Sequence, residues 1–288
     1  MAEQTPQREP EVRFTWNTHW GCNFRCSYCF FHDLWDHYAP RNVYKSADFW
    51  IERWKAVHEL YGRCYIVVNG GEPLAYPDFV KIILAISEFH YPINITTNVS
   101  VHLDELIEKA DPRRISLSLS FHPEYHKDVD KFIAIMDKVR GKGFEGCNNI
   151  VAYPPYMDKL PLWLEKFSKA GHAMKINPFI GQYEGKNYPD AFTPEQKKLM
   201  GMQEGWVEEK KRRSKLCAAG WKSALILPDG GVTRCGQIGD QGIFANFFDP
   251  NFRLLDKPAP CDAERCPCDE WKIIPDETPG EGGAHYLP

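Results

Sequence analysis

Between Val12 and Asn177 the chain alternates short β-branched or aromatic runs with longer segments whose apolar residues recur at helical spacing. No other feature limits the fold as strongly. Strands are expected at Val12 to Trp16, Tyr65 to Val68, Ile93 to Thr97, Ile115 to Ser120, Gly146 to Val151 and Met174 to Asn177. Helices are expected at Ser46 to Leu60, Pro77 to Phe89, Leu103 to Ala110, Asp128 to Val139 and Pro161 to Ala170. Ser46 is an N-cap residue type and Gly62 lies just beyond the first helix, while Val129, Phe132, Ile133, Met136 and Val139 form an apolar stripe ended by Gly141. Six strands alternating with five helices predict an α/β fold of parallel units. Right-handed crossovers would curl them into a partial (β/α)6 barrel, with the loops after the strands gathered at one reactive rim.

Sulfur is distributed unevenly over this pattern. Of ten cysteines in 288 residues, Cys22, Cys26 and Cys29 crowd one stretch, and Cys217, Cys235, Cys261, Cys266 and Cys268 fall in the last quarter. Cys64 and Cys147 stand apart. No apolar leader and no membrane-length run is present, so a cytoplasmic location is expected, where thiols serve metals or catalysis rather than disulfides. With 35 basic and 39 acidic residues and no basic tract, nucleic acid is not an expected partner. The division expected is a polar N-terminal extension over 1–10, a barrel core over 11–180, a helical linker over 181–215, a cysteine-rich appendage over 216–275 and a flexible tail over 276–288. The linker helix would start at the capping box Thr193-Pro194-Glu195-Gln196.

Directly after the first strand stands Cys22-Asn23-Phe24-Arg25-Cys26-Ser27-Tyr28-Cys29. Three thiolates on one loop can hold three irons of a cubane and leave the fourth iron open. Structural zinc is the alternative, with His19 or His32 as a fourth ligand. After the second strand comes Asn69-Gly70-Gly71-Glu72-Pro73. Adjacent glycines let the backbone approach a ligand closely, and Glu72 adds an anionic acceptor suited to an ammonium group.

The CxxxCxxC loop, with aromatic Tyr28 before its last cysteine, and the Gly-Gly-Glu-Pro loop one unit later resemble the radical S-adenosylmethionine superfamily. The resemblance extends over the β/α pattern to about residue 180. It implies a 4Fe–4S cluster on Cys22, Cys26 and Cys29, and S-adenosylmethionine on the open iron. Gly70, Gly71, Glu72 and Pro73 would meet the methionyl group and Tyr28 the adenine. Thr96, Thr97 and Asn98 after the third strand, with Ser118 and Ser120 on the fourth, would face ribose hydroxyls or the carboxylate, and Val151 to Tyr153 fall at the place of a further adenine contact. The implied chemistry is reductive cleavage of S-adenosylmethionine to a 5′-deoxyadenosyl radical that abstracts a substrate hydrogen, with an external reductant of flavodoxin or ferredoxin type.

Cys217, Gly220, Ile226, Pro228-Asp229-Gly230 and Cys235 resemble the SPASM and twitch appendages of that superfamily, in which a β-hairpin carries ligands of an auxiliary 4Fe–4S cluster. The expected ligands are Cys217, Cys235, Cys266 and Cys268, with Cys261 spare or replacing one of them; a zinc ribbon is the alternative. Five thiols suit one cluster. A spare thiol, Cys261 or Cys147, is a candidate hydrogen-atom donor, whereas Cys64 reads as a core residue. His122-Pro123-Glu124-Tyr125-His126 follows the fourth strand, so His122 is a candidate base or substrate clamp, and a solvated loop is the alternative. Asp33, Trp35, Asp36, His37 and Tyr38 could shape the substrate mouth. The preferred function is oxidation or epimerisation of a small sugar-like or aminocyclitol-like molecule. A peptide-modifying maturase is second, and a methyltransferase is disfavoured for want of a cobalamin-binding feature. A zinc or electron-transfer protein would leave the Gly-Gly-Glu-Pro loop without a role.

Overall fold

The computed structural model describes residues 10–202 and 216–263. The core runs β1 (Val12–Asn17), α1 (Trp35–Tyr38), α2 (Ala47–Tyr61), β2 (Cys64–Asn69), α3 (Phe79–Ile86), β3 (Ile93–Thr97), α4 (Asp104–Lys109), β4 (Ile115–Phe121), α5 (Val129–Gly141), β5 (Asn148–Ala152), α6 (Leu160–Lys169) and β6 (Met174–Pro178). Strands β1 to β6 lie side by side in sequence order, each parallel to the next. Local chemistry sets the helix starts. Ser46 Oγ accepts from Phe49 N–H at 3.2 Å, and Asp128 Oδ1 accepts from Asp130 and Lys131 N–H at 3.0 and 3.2 Å. The third segment becomes helical only at Phe79, after Asp78 takes a left-handed turn at φ 55.

Strand alternation gives the sheet two chemically different faces. Phe14 and Trp16 on β1, Ile66 and Val68 on β2, Ile93 and Ile95 on β3, and Leu117 and Leu119 on β4 are buried. Helix α2 covers part of that face with Trp50 and Trp54, the Trp16–Trp50 ring centroids 4.6 Å apart and Phe14–Trp54 5.6 Å apart. Each such ring contributes about 2–3 kcal/mol by burial. The opposite face carries Thr15, Asn17, Asn69, Asn94, Ser116, Ser118, Ser120 and Asn149. Here polar groups satisfy one another across strands. Asn94 Nδ2 donates to Ser116 Oγ at 2.8 Å and Ser118 Oγ at 3.1 Å, and Asn177 Nδ2 donates to Asn149 Oδ1 at 3.2 Å.

The expected linker is not purely helical. Gly181–Tyr183 (β7) and Lys186–Tyr188 (β8) form an antiparallel hairpin turned by Glu184 and Gly185, both at positive φ. Helix α7 (Pro194–Leu199) has the expected capping box between Thr193 and Gln196. It ends there rather than running on, because Gly201 at φ 68 closes a Schellman turn: Met202 N–H donates to Lys197 O at 2.9 Å and Gly201 N–H to Lys198 O at 3.0 Å. The remainder of the expected linker helix, 203–215, lies outside the described residues, as do 1–9 and 264–288.

After β9 (Leu216–Cys217) come β10 (Ser223–Ile226), β11 (Gly231–Thr233), β12 (Ile243–Asn246) and β13 (Ala259–Pro260). The Pro-Asp-Gly turn joins β10 to β11 as a hairpin, with Asp229 Oδ1 accepting from Gly231 N–H at 3.0 Å. This hairpin continues the core sheet. Strand β10 pairs parallel with β1, Thr15 opposite Leu225, so nine strands form one sheet in the order β12-β11-β10-β1-β2-β3-β4-β5-β6. No helix among the described residues is long and apolar enough to cross a membrane.

Candidate active site

Cys22, Cys26 and Cys29 line one cavity of about 320 Å³ at the C-terminal ends of the parallel strands. The loop that carries them is tied by its own backbone: Cys29 N–H donates to Cys26 O at 3.0 Å and His32 N–H to Cys29 O at 2.9 Å. Two of the sulfurs accept backbone N–H groups, Cys22 Sγ from Phe24 at 3.4 Å and Cys29 Sγ from Phe31 at 3.5 Å. Burial outweighs these donors. It raises the Cys22 and Cys29 thiols and pushes Cys26 up to about 12, so the thiols keep their protons until a metal displaces them.

The donor set suits a polynuclear cluster. Of the histidines considered as a fourth zinc ligand, His19 is buried with Nδ1 3.0 Å from Thr18 Oγ1 and its ring 5.6 Å from Tyr76, and burial lowers its pKa to about 4. His32 is exposed, and neither imidazole lines the cavity. Three sulfurs around a cavity match three corners of a cubane better than one tetrahedral ion.

The glycine loop is seated against the chain entering the cysteine loop. Gly71 N–H donates to His19 O at 2.7 Å and Glu72 N–H to Gly21 O at 3.0 Å. A Cβ on Gly71 would stand 1.7 Å from Gly21 O, and Gly70 adopts φ 134. Both glycines also face the cavity. Glu72 does not line it and its carboxylate is committed elsewhere: Oε1 accepts from Thr97 Oγ1 at 2.7 Å and Leu74 N–H at 3.1 Å, and Oε2 from Asn98 N–H at 2.7 Å. Burial raises the Glu72 pKa against those three donors. The expected ammonium acceptor is thus an internal brace that fixes the end of β3. Pro73 is buried at the start of the following 3-10 turn, also outside the cavity lining. Thr96, Thr97 and Asn98 do line it, and Asn98 Nδ2 reaches Cys22 Sγ at 3.5 Å.

His122 and Tyr28 form one wall. Their rings stack at 5.9 Å and 10°, Tyr28 Oη lies 3.1 Å from His122 Nδ1, and Tyr153 leans on Tyr28 at 5.2 Å. Desolvation lowers His122 to about 4, so its ring is neutral at pH 7. The same nitrogen stands 3.4 Å from Cys26 Sγ. The rest of the His122–His126 segment grips the cysteine loop: Glu124 accepts from Ser27 N–H at 2.9 Å and from Ser27 Oγ, Tyr125 Oη accepts from Arg25 N–H at 2.6 Å, and Tyr125 stacks on Phe24 at 4.0 Å and 7°. His122 lines the cavity, and the rest of the segment ties down the loop that carries the three cysteines.

Ser120 and Val151 line the cavity, but Ser118 does not; its hydroxyl donates to Asn94 Oδ1 at 3.2 Å. Cys147 is exposed at the entry to β5, the end of that strand away from the cavity, which removes it from hydrogen-atom donation there. Cys64 is a core thiol, pushed up to about 12 by burial. Pro178, Phe179 and Ile180 complete the lining after β6; sequence reasoning missed them, although the exit of a sixth parallel strand marks that rim.

A second group of sulfurs gathers farther along. Cys217 on β9 lies opposite Ala259 on β13, close to Cys261 in sequence; burial raises the Cys235 thiol, opposed by the Gln237 and Ile238 N–H groups and reinforced by the neighbouring Cys261 and Cys217. The buried Arg234 fastens the three segments, Nε to Ala219 O at 3.0 Å, Nη1 to Pro260 O at 2.7 Å and Nη2 to Ala259 O at 2.9 Å. Cys261, expected as the spare, is therefore brought to Cys217 and Cys235, while Cys266 and Cys268 lie outside the described residues.

Comparisons with known proteins agree with this geometry. The chain is 31% identical over 91 residues to a 7-carboxy-7-deazaguanine synthase of Halobacterium salinarum, covering 31% of this chain and 33% of that protein. It spans about a third of the length of the curated relatives it matches. Among solved structures, Streptococcus suis SuiB bound to S-adenosylmethionine superposes with a TM-score of 0.61 at 14% identity, covering 82% of this chain and 63% of that one. The anSMEcpe protein with bound AdoMet and Cp18Cys peptide superposes at 0.59 and 16% identity, covering 83% and 78%. The family model of the Radical SAM superfamily matches residues 16–162, just over half of the chain, and with three cysteines and two glycines around one cavity the protein belongs to that superfamily.

Proposed function

We propose that this radical S-adenosylmethionine enzyme oxidises or epimerises a small polar molecule and carries one auxiliary 4Fe–4S cluster on its C-terminal cysteines. The radical S-adenosylmethionine chemistry is supported by the meeting of Cys22, Cys26, Cys29, Gly70 and Gly71 on one cavity. When bound, the cluster and S-adenosylmethionine supply one-electron cleavage to a 5′-deoxyadenosyl radical that takes a substrate hydrogen.

The chain's own residues position and enclose. Gly70 and Gly71 bring bare backbone to the methionyl end, Glu72 holds Asn98 and Thr97 at the rim, and the Tyr28–His122 stack is the flat wall for adenine. His122 serves as a positioning residue rather than a base, because its Nδ1 is engaged by Tyr28 Oη. Cys217, Cys235 and Cys261 would supply three ligands of the auxiliary site, with Cys266 or Cys268 the fourth; Cys261 is then no hydrogen-atom donor. A peptide substrate is the second reading, supported by the peptide complexes of two structures that share the fold.

Anaerobic reconstitution with iron and sulfide tests both sites. About eight irons per chain are expected, falling to about half when Cys22, Cys26 and Cys29 are all changed to Ala. Dithionite should release 5′-deoxyadenosine from the intact protein and none from the triple variant. Iron unchanged by the triple substitution would refute the first-site assignment.

A further inference from the structure

A second cavity, of about 240 Å³, adjoins the first, and Phe30 lines both. It lies on the polar face of the sheet where β1 meets β10, between the cysteine loop and the chain that follows Cys235. We infer that this cavity selects a hydroxylated ring bearing a protonated amine and rejects phosphorylated or carboxylated molecules. The inference rests on the functional reading above, as the substrate class of that site.

Three features carry it. Thr15, Asn17 and Gln237 line the cavity, and none of their side chains makes a hydrogen bond to another described residue, so a hydroxyl and two amides are left for a ligand. No Lys, Arg or His lines it, whereas the half-exposed Asp240 does. The nearby cation is already spent: Arg41 Nε and Nη2 hold Asp229 at 3.1 and 2.6 Å, Nη1 holds Asp240 at 2.5 Å, and the guanidinium lies 5.2 Å from the Trp20 ring centre and 5.5 Å from that of Tyr38. One guanidinium against two carboxylates leaves a negative charge beside the cavity. An ammonium is drawn to that charge and an anion repelled. The rings of Trp20 and Tyr38, stacked at 4.9 Å, add an apolar wall for the carbon face of a ring.

The test is calorimetric, on reconstituted protein saturated with S-adenosylmethionine so that the first cavity is filled. The probes are trans-4-aminocyclohexanol and trans-4-hydroxycyclohexanecarboxylate, alike in size and opposite in charge. The amine should bind about tenfold more tightly, and Asp240→Asn should abolish the preference, because Arg41 then faces one carboxylate. Asp229 retains Arg41 in that variant, which keeps the hairpin anchored. Asn17→Leu, which leaves Arg41, Asp229 and Asp240 in place, should weaken the amine several-fold without reversing the preference. Equal or tighter binding of the carboxylate, no detectable binding of either probe, or a preference untouched by Asp240→Asn overturns the inference. Release of 5′-deoxyadenosine in a parallel sample reports the cofactor chemistry separately, so failure of the charge preference and failure of the enzymatic reading are distinguishable.

Discussion

Gly71 and Gly21 touch backbone to backbone, a Cβ on Gly71 falling 1.7 Å from the Gly21 carbonyl oxygen. Nothing at that contact is a flexible side chain, so the glycine loop and the strand-to-cysteine connection must separate if Gly71 gains a side chain. Gly71→Ala should cost about 1–3 kcal/mol of stability and halve the iron bound, losing the first site. Anaerobic urea unfolding and iron quantification check this; a variant with unchanged midpoint and iron would show that the contact is slack.

Glu124 and Ser27 form the matching latch on the other side of the cysteine loop. Removing it by Glu124→Ala exchanges the carboxylate for water at the exposed Ser27 N–H, at about 0.5–1 kcal/mol. The barrel should stay folded while a chelator strips iron from the first site several-fold faster. Equal stripping rates would make the latch incidental.

His90 makes stability depend on pH. It is fully buried, Nδ1 accepts from Cys64 N–H at 3.0 Å and Nε2–H donates to Trp54 O at 3.0 Å, a neutral arrangement. Burial chiefly, opposed by the Trp54 carbonyl, holds its pKa at about 4 against 6.5. The unfolded chain therefore binds the proton at higher pH than the folded one. The contribution is whole above the unfolded value, declines as pH falls between the two, and amounts to about 3 kcal/mol. Thermal unfolding from neutral to acidic pH should show a shallower decline in His90→Gln; an identical slope would exclude His90 as a source.

Arg234, a buried cation next to Cys235, donates to one carbonyl on the segment bearing Cys217 and to two on the segment bearing Cys261. Lysine cannot reach all three at once. Arg234→Lys should lose about half of the iron while 5′-deoxyadenosine is still released, because the first cavity lies on other loops. Full iron retention would show that the thiols gather without the staple.

The six parallel strands were legible because their apolar runs are short and separated by helical stretches, two of them with capping residues, and the observed elements start within a few residues of the expected ones. Pairing of β10 with β1 was not, since parallel pairing across some two hundred residues leaves no local pattern. Motif spacing located the Gly70–Pro73 loop but could not say that the Glu72 carboxylate turns inward to Thr97 and Asn98. Cys147 is different. A residue entering a parallel strand lies opposite the reactive rim, so its separation from the cavity follows from strand direction alone.

The place of β10 also bears on how the chain is made. A ribosome completes β1 to β6 before the segment that flanks β1 on its other side has emerged, leaving the strand that leads into the cysteine loop with one row of unpaired amides and carbonyls. During synthesis that bare margin stays open to pairing with a neighbouring nascent chain until β10 has emerged to cover it.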